Sequence, residues 1–168
     1  MQPILPICPL FLPNKILTQL YTCNYIIEKF QKSRKNSISA AITMADIDNF
    51  KYINDTYGHA GGDYVLFTIS TIMKTVCHTN IDISRWGGEE FILVLYQKSK
   101  EEVLSTIQNL REAIAAYNFQ FSGNEFHVTA TFGISFTHEK NILDDLIQLA
   151  DERMYHGKRS GKNRIIAD

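Results

Sequence analysis

Residues 38–47 constrain the fold more than any other stretch, because they are apolar on both alternating faces. Ile38, Ala40, Ile42 and Met44 fall on one side, with Ala41, Thr43 and Ala45 on the other. Strand side chains alternate between faces, so a strand apolar on both must be covered from both sides and belongs in the middle of a sheet. The stretch ends in Asp46-Ile47-Asp48. A carboxylate at the end of a buried strand is costly to desolvate unless a metal ion or a cationic side chain faces it, which makes Asp46 a candidate ligand. Asp48 has a simpler role open to it, as the cap of a helix beginning near Asn49.

A second acidic strand end lies in residues 85–91, Arg-Trp-Gly-Gly-Glu-Glu-Phe, between the alternating residues 81–86 and the apolar run 91–95. The pattern predicts a β-hairpin with a two-residue glycine turn at positive φ, whose bare backbone admits a bulky anion. Glu89 and Glu90 follow. Alternation points them to opposite faces, so at most one looks directly into a given site. Alone, such a stretch equally describes an ordinary hairpin followed by solvated acids; the acidic end at Asp46 is what favours a site.

The other elements follow from periodicity. Ile16, Leu20, Cys23, Ile27 and Phe30 predict an amphipathic helix. A short helix over 49–55 and a loop over 56–62 precede a longer helix from about Asp63, marked by Val65, Leu66, Ile69, Ile72, Met73 and Val76. Val103, Ile107, Leu110, Ile114 and Tyr117 mark the next helix, and residues 119–121 and 125–136 form a second hairpin across Gly123-Asn124. Leu143, Leu146, Ile147, Ala150 and Met154 mark a last helix, which runs into basic residues 158–164 and a short strand over 164–167. The order describes an α/β protein, an α+β sandwich with a central, mostly antiparallel five-stranded sheet flanked by helices.

With 168 residues, 45% of them hydrophobic, the chain builds one ordinary core. The formal net charge of -1 argues against a nucleic-acid surface, so any phosphate recognition is local. Cys8, Cys23 and Cys77 are odd in number and lack metal-ligand spacing, as expected of reduced, mostly buried thiols in a cytoplasmic protein. Residues 3–13 are apolar but carry four prolines, too short and too broken for a membrane segment or a signal peptide.

Taken together, Asp46-Ile47-Asp48-Asn49-Phe50-Lys51, Ile53-Asn54-Asp55-Thr56-Tyr57-Gly58-His59, Gly62-Asp63, residues 85–91 and residues 158–164 resemble the successive signatures of the GGDEF domain of diguanylate cyclases. The resemblance runs from about residue 12 to 166, so residues 1–11 read as a degenerate N-terminal segment and 12–168 as the domain. It implies a core similar to the palm of nucleotide cyclases and polymerases. It also implies a reaction, condensation of two GTP into cyclic di-GMP with release of two pyrophosphates. Because each site of the family holds one GTP, the resemblance implies a homodimer. The alternative carried with it is a catalytically inactive GTP-binding regulatory module. A cyclic di-GMP receptor is a third reading, and activation is expected from an upstream sensor domain or a partner.

By the same resemblance, Asp46, the backbone carbonyl of Ile47 and Glu89 hold Mg²⁺ or Mn²⁺. Glu89 and Glu90 are the catalytic carboxylates. Glu89 either accepts the 3′-hydroxyl proton or leaves it to hydroxide or water, and Glu90 helps position metal or ribose. Asn54 and Asp63 match the readers of guanine, whose N1 and N2 donors a carboxylate accepts and adenine lacks. His59 matches a further substrate contact or, alternatively, is a loop-packing imidazole. Phe50 and Lys51 fall where amides at a helix start hold phosphates. Lys158 and Lys162 match the pair that neutralises the β- and γ-phosphates, although cations also gather at helix C-termini, where Gly161 would be the cap.

Lys162 stands where the family usually has arginine, exchanging a bidentate fork for a point charge. Two further departures concern the family's Asp-x-Leu-Thr-x-Leu-Pro-Asn-Arg and Arg-x-x-Asp motifs. Leu12-Pro13-Asn14-Lys15 keeps the end of the first, while Ile7, Cys8, Pro9, Leu10 and Phe11 replace its beginning. His78-Thr79-Asn80-Ile81 occupies the second, which serves product inhibition, and Asp82 lies one place out of register. Loss of that motif disfavours the receptor reading.

Overall fold

A computed structural model describes residues 17–140 and 142–168. The stretch 3–13, Cys8 and Leu12-Pro13-Asn14-Lys15 lie outside the described residues. In chain order come helix α1 (Cys23–Lys35), strand β1 (Ala40–Ile47), helix α2 (Phe50–Val76) and strands β2 (Ile81–Gly87) and β3 (Glu90–Tyr96). Helix α3 (Lys100–Ala116), strands β4 (Phe119–Phe121), β5 (Asn124–Phe126) and β6 (Ala130–Phe136), helix α4 (Leu143–Arg159) and strand β7 (Ile165–Ile166) follow.

The doubly apolar strand is central, as its pattern requires. The five-stranded sheet has the order β2-β3-β1-β6-β7, antiparallel except for the parallel pair β6 and β7. On one face Ala41, Ala45 and Ile47 pack with Val65, Leu66 and Ile69 of α2 and Val103, Ile107 and Leu110 of α3. On the other, Ile42 and Met44 meet Ile26 and Phe30 of α1 and Leu146, Ala150 and Met154 of α4. The two faces differ in side-chain size, Ala41 and Ala45 on one and Ile42 and Met44 on the other, so a one-residue slip would exchange small for large and misfit both layers.

Four boundaries differ from the sequence expectation. The first helix begins at Cys23, where Thr22 caps it by accepting from the Tyr25 amide at 3.3 Å. The preceding residue is extended, with Tyr21 N–H donating to the Ile83 carbonyl at 3.1 Å, so Leu20 reaches the core from outside the helix. In α2 the expected loop over 56–62 shrinks to one non-helical residue, Gly58, at φ 70° and ψ 175°. Glycine adopts that conformation without steric penalty, and helix resumes at once.

The first hairpin pairs Gly87 with Glu90, so its turn is Gly88-Glu89 and neither Gly87 nor Gly88 takes the positive φ expected of them. A bulge at Trp86 absorbs the extra residue and re-aims the tip. The second turn is Ser122-Gly123, both at positive φ, and it joins β4 only to β5 in a separate two-stranded sheet. The expected strand over 125–136 is therefore two strands, and β6 alone enters the main sheet.

Candidate active site

β1 and β3 run antiparallel with Asp46 opposite Glu90, so the two acidic strand ends meet at one edge of the sheet. The hairpin turn sets Glu89 beside them, its carbonyl accepting from Ile47 N–H at 3.3 Å. The first turn of α2 arrives at the same edge because Phe50 follows the end of β1 so closely. Between α2 and the hairpin tip opens a cleft of about 340 Å³, bordered by Phe50, Lys51, Asn54, His59, Asp63, Arg85, Gly88 and Glu89. A larger groove of about 580 Å³ lies on the α1 side among Tyr25, Lys29, Lys32 and Tyr96, and it carries none of the residues predicted for the site.

Asn54 owes its position to Gly62. A Cβ on Gly62 would collide with Asn54 Oδ1 and stand 3.1 Å from Phe50 Cζ, so the bare backbone is what lets the amide lie across the helix. Asn49, the residue before α2, sits at φ 58° and places no side-chain cap on the first turn. The opening amides of α2 are thus left without a capping side chain, as anion binding there requires. Lys162 Nζ donates to Asn49 Oδ1 and so lies beside the same helix start.

Lys158 stands on the acidic side. Its ammonium donates to Asp46 Oδ1 at 2.5 Å and to the Ile47 carbonyl at 3.1 Å, and pairs with Asp48 Oδ1 at 2.9 Å. Burial pushes the Asp46 carboxyl above its ordinary range, with Glu89 and Asp48 adding to the rise and Lys158 opposing it. Glu90 is likewise raised, first by burial and then by Asp46, Asp151 and Glu89. Both rises come first from burial, and the neighbouring carboxyls that add to them are a cluster of acids whose repulsion a further cation would relieve. Among the described residues no three His, Cys, Asp or Glu side chains are grouped as a ready-made ion site. The donors that do converge, one carboxylate and one backbone carbonyl on a single cation with Glu89 adjacent, are the oxygen-only set that suits Mg²⁺ or Mn²⁺ when substrate phosphates supply further ligands.

Asp48 corrects the sequence reading, because it does not cap α2. It is 3% exposed and accepts from Thr129 Oγ1 at 2.7 Å, Thr131 Oγ1 at 2.8 Å and the Asn163 amide at 2.9 Å. These bonds with Lys158 outweigh burial and hold its carboxyl below the ordinary range. Thr129 and Thr131, two residues apart at the start of β6, were the legible sign of a polar pair on one strand face. Arg85 was also passed over. Its Nε and Nη2 both donate to the Gly88 carbonyl, at 2.9 and 2.6 Å, fixing the turn that carries Glu89. Burial pushes its guanidinium below its ordinary value, and the neighbouring Asp63 and Glu89 oppose that shift.

The family described as "Diguanylate cyclase, GGDEF domain" matches residues 15–164. The chain belongs to that family. Diguanylate cyclase A of Treponema denticola is 36% identical over 152 residues, covering 89% of this chain and 39% of its own length. Diguanylate cyclase SiaD of Pseudomonas aeruginosa, solved in complex with its activator SiaC, superposes with a TM-score of 0.85 at 28% identity, over 90% of this chain and 60% of that one. An active GGEEF domain of a diguanylate cyclase from Vibrio cholerae gives 0.75 at 30% identity, over 83% and 89%. The chain therefore spans well under half the length of the Treponema relative, and its GGDEF domain has the fold of solved cyclase structures.

In this GGDEF domain Cys23 and Cys77 are buried free thiols, and burial pushes the Cys77 thiol up to about 12. No helix among the described residues is long and apolar enough to cross a membrane.

Proposed function

We propose that the chain is a diguanylate cyclase that condenses two GTP into cyclic di-GMP and two pyrophosphates. One observation carries the reading: Asn54, Asp63 and Glu89, the guanine readers and the metal-binding glutamate implied by family resemblance, border a single cleft. Family membership and the Vibrio GGEEF domain described as active, whose signature this chain shares, support it.

Asn54 and Asp63 bind the base, with Asp63 accepting from guanine donors. The uncapped first turn of α2, Lys158 and Lys162 take the triphosphate. Asp46, the Ile47 carbonyl and Glu89 would hold Mg²⁺ or Mn²⁺, which when bound supplies Lewis-acid stabilisation of charge developing on the transferring phosphate and the leaving pyrophosphate. Each 3′-hydroxyl loses its proton, with Glu89 or water as acceptor, and attacks the α-phosphorus of the other GTP as the bond to pyrophosphate breaks. Since one cleft suits one nucleotide, two copies of the chain face each other during turnover. An upstream sensor or a partner protein brings them together.

Purified chain incubated with GTP and Mg²⁺ at high protein concentration should yield cyclic di-GMP by chromatography. Asp46→Asn and Glu89→Gln should each abolish product while leaving the circular dichroism spectrum unchanged, because both groups sit at the sheet edge outside the core. Product from either variant at the wild-type rate would overturn the assignment. GTP binding without product in the wild type would favour the inactive regulatory module.

A further inference from the structure

We infer that Asp48 is the positioning residue of the phosphate-binding segment, tying it to the strand that carries the metal donors. The inference rests on the assignment of Lys158 and Lys162 to the triphosphate. Asp48 is 3% exposed, and its two oxygens receive four donors. Oδ1 accepts from Thr131 Oγ1 at 2.8 Å and faces Lys158 Nζ at 2.9 Å. Oδ2 accepts from Thr129 Oγ1 at 2.7 Å and the Asn163 amide at 2.9 Å. One carboxylate thus joins the end of β1, the start of β6 and both ends of the basic segment 158–163.

The two donors from that segment differ in kind from the two threonines. A hydroxyl can turn and accept, whereas an ammonium and a backbone N–H can only donate. Each carboxylate oxygen of Asp48 serves one threonine and one such obligate donor. An asparagine at 48 must therefore set its NH₂ against one of them, whichever way it is flipped. If the NH₂ replaces Oδ1, Lys158 loses this partner and is left to Asp46 and the Ile47 carbonyl alone; if it replaces Oδ2, the Asn163 amide is released, and with it the turn holding Lys162. That turn needs an anchor, because Gly161, Lys162 and Asn163 run at φ 116°, 61° and 45°, and left-handed backbone, open to glycine and tolerated by asparagine, is unfavourable for Lys162. The side chain acts on the phosphates through these two partners and touches no reacting atom.

Asp48→Asn and Thr131→Val separate positioning from mere structure, since both disturb the same buried cluster but only the first reaches the basic segment. Binding of a non-hydrolysable GTP analogue and of guanosine is measured by calorimetry for wild type and both variants, alongside thermal melts. Asp48→Asn should weaken the analogue by about tenfold or more, the scale of one charge-assisted hydrogen bond, and leave guanosine unchanged. Thr131→Val should lower the melting temperature and bind both ligands as wild type does. Equal losses for the two variants, or an analogue affinity unchanged in Asp48→Asn, would overturn the inference. A wild type that binds the analogue no better than guanosine would instead refute the triphosphate assignment beneath it. Should Asp48→Asn not fold, hydrogen exchange in the wild type decides: the Asn163 amide must be protected, and exchange at the rate of a free loop amide would overturn the proposal.

Discussion

Gly62→Ala offers a test in which stability and ligand affinity move independently. The added Cβ would collide with Asn54 Oδ1, lie 3.0 Å from Asn54 Cγ and 3.1 Å from Phe50 Cζ. Phe50 is 8% exposed and can yield only by a few tenths of an ångström, so the Asn54 amide must swing away. Alanine in a helix interior gains about 1 kcal/mol over glycine. Crowding of a packed site costs roughly 1–3 kcal/mol, so the net change in stability is about 0–2 kcal/mol of destabilisation. Affinity for guanine falls further, because Asn54 loses up to two neutral hydrogen bonds to the base, about 1–3 kcal/mol or roughly 5- to 150-fold. Gly61→Ala is the control. Its Cβ would meet Tyr57 Cβ and approach Phe121 Cε1 at 3.5 Å, both outside the cleft. It should lower the melting temperature with GTP affinity intact. Calorimetry with a GTP analogue reads both variants, and a Gly62→Ala affinity within about twofold of wild type would refute the role given to Asn54.

Further outcomes follow from the same structure. Asp63→Ser should relax the preference for GTP over ATP in a competition assay, and a variant that keeps full discrimination would move base recognition elsewhere. Glu139 is held below its ordinary value of 4.5 chiefly by Arg153, whose Nη2 lies 2.8 Å away, and also by the Phe136 amide. Its contribution is present above pH 4.5 and lost as pH falls through the lowered value, so Glu139→Gln should destabilise by about 1–3 kcal/mol at neutral pH and converge on wild type in acid. A constant difference in chemical denaturation from pH 7 to pH 3 would contradict this. Cyclic di-GMP should not bind at the surface before β2, and micromolar binding that depends on His78 and persists with the cleft filled by a GTP analogue would overturn that expectation.

Asp82 could replace the missing aspartate at 81 only if β2 slipped by one residue. The side chain of Asp82 is 4% exposed and accepts from Lys29 Nζ of α1 at 2.8 Å, and its strand is registered as Ile81 with Leu95 and Asp82 with Val94. A slip would break the ion pair, leave a buried charge unpaired and turn Ile83 out of the core.

What was legible in the sequence divides along the range of the interactions involved. The central strand could be read because its signal, apolar residues on both faces, is complete within residues 38–47. The cleft residues Phe50, Lys51, Asn54, His59 and Asp63 were grouped by family resemblance across a short helix, a loop and a second helix, which the structure joins into one helix with a one-residue break at Gly58. Asp48 was misread for the opposite reason. A helix start one residue away supplied a sufficient local explanation, whereas its partners Thr129, Lys158 and Asn163 come from remote elements that only the sheet and α4 bring together. The same holds at the hairpin. Gly87-Gly88 satisfies a local rule for a turn, yet the pairing of β2 with β3 and the bulge at Trp86 move the turn one residue on, to Gly88-Glu89. That shift puts Glu89 in the turn itself, held by Arg85 through the Gly88 carbonyl, rather than on the strand. The glutamate that borders the cleft is therefore oriented by turn geometry, and only Glu90, the first residue of β3, obeys strand alternation by facing Asp46 across the ladder.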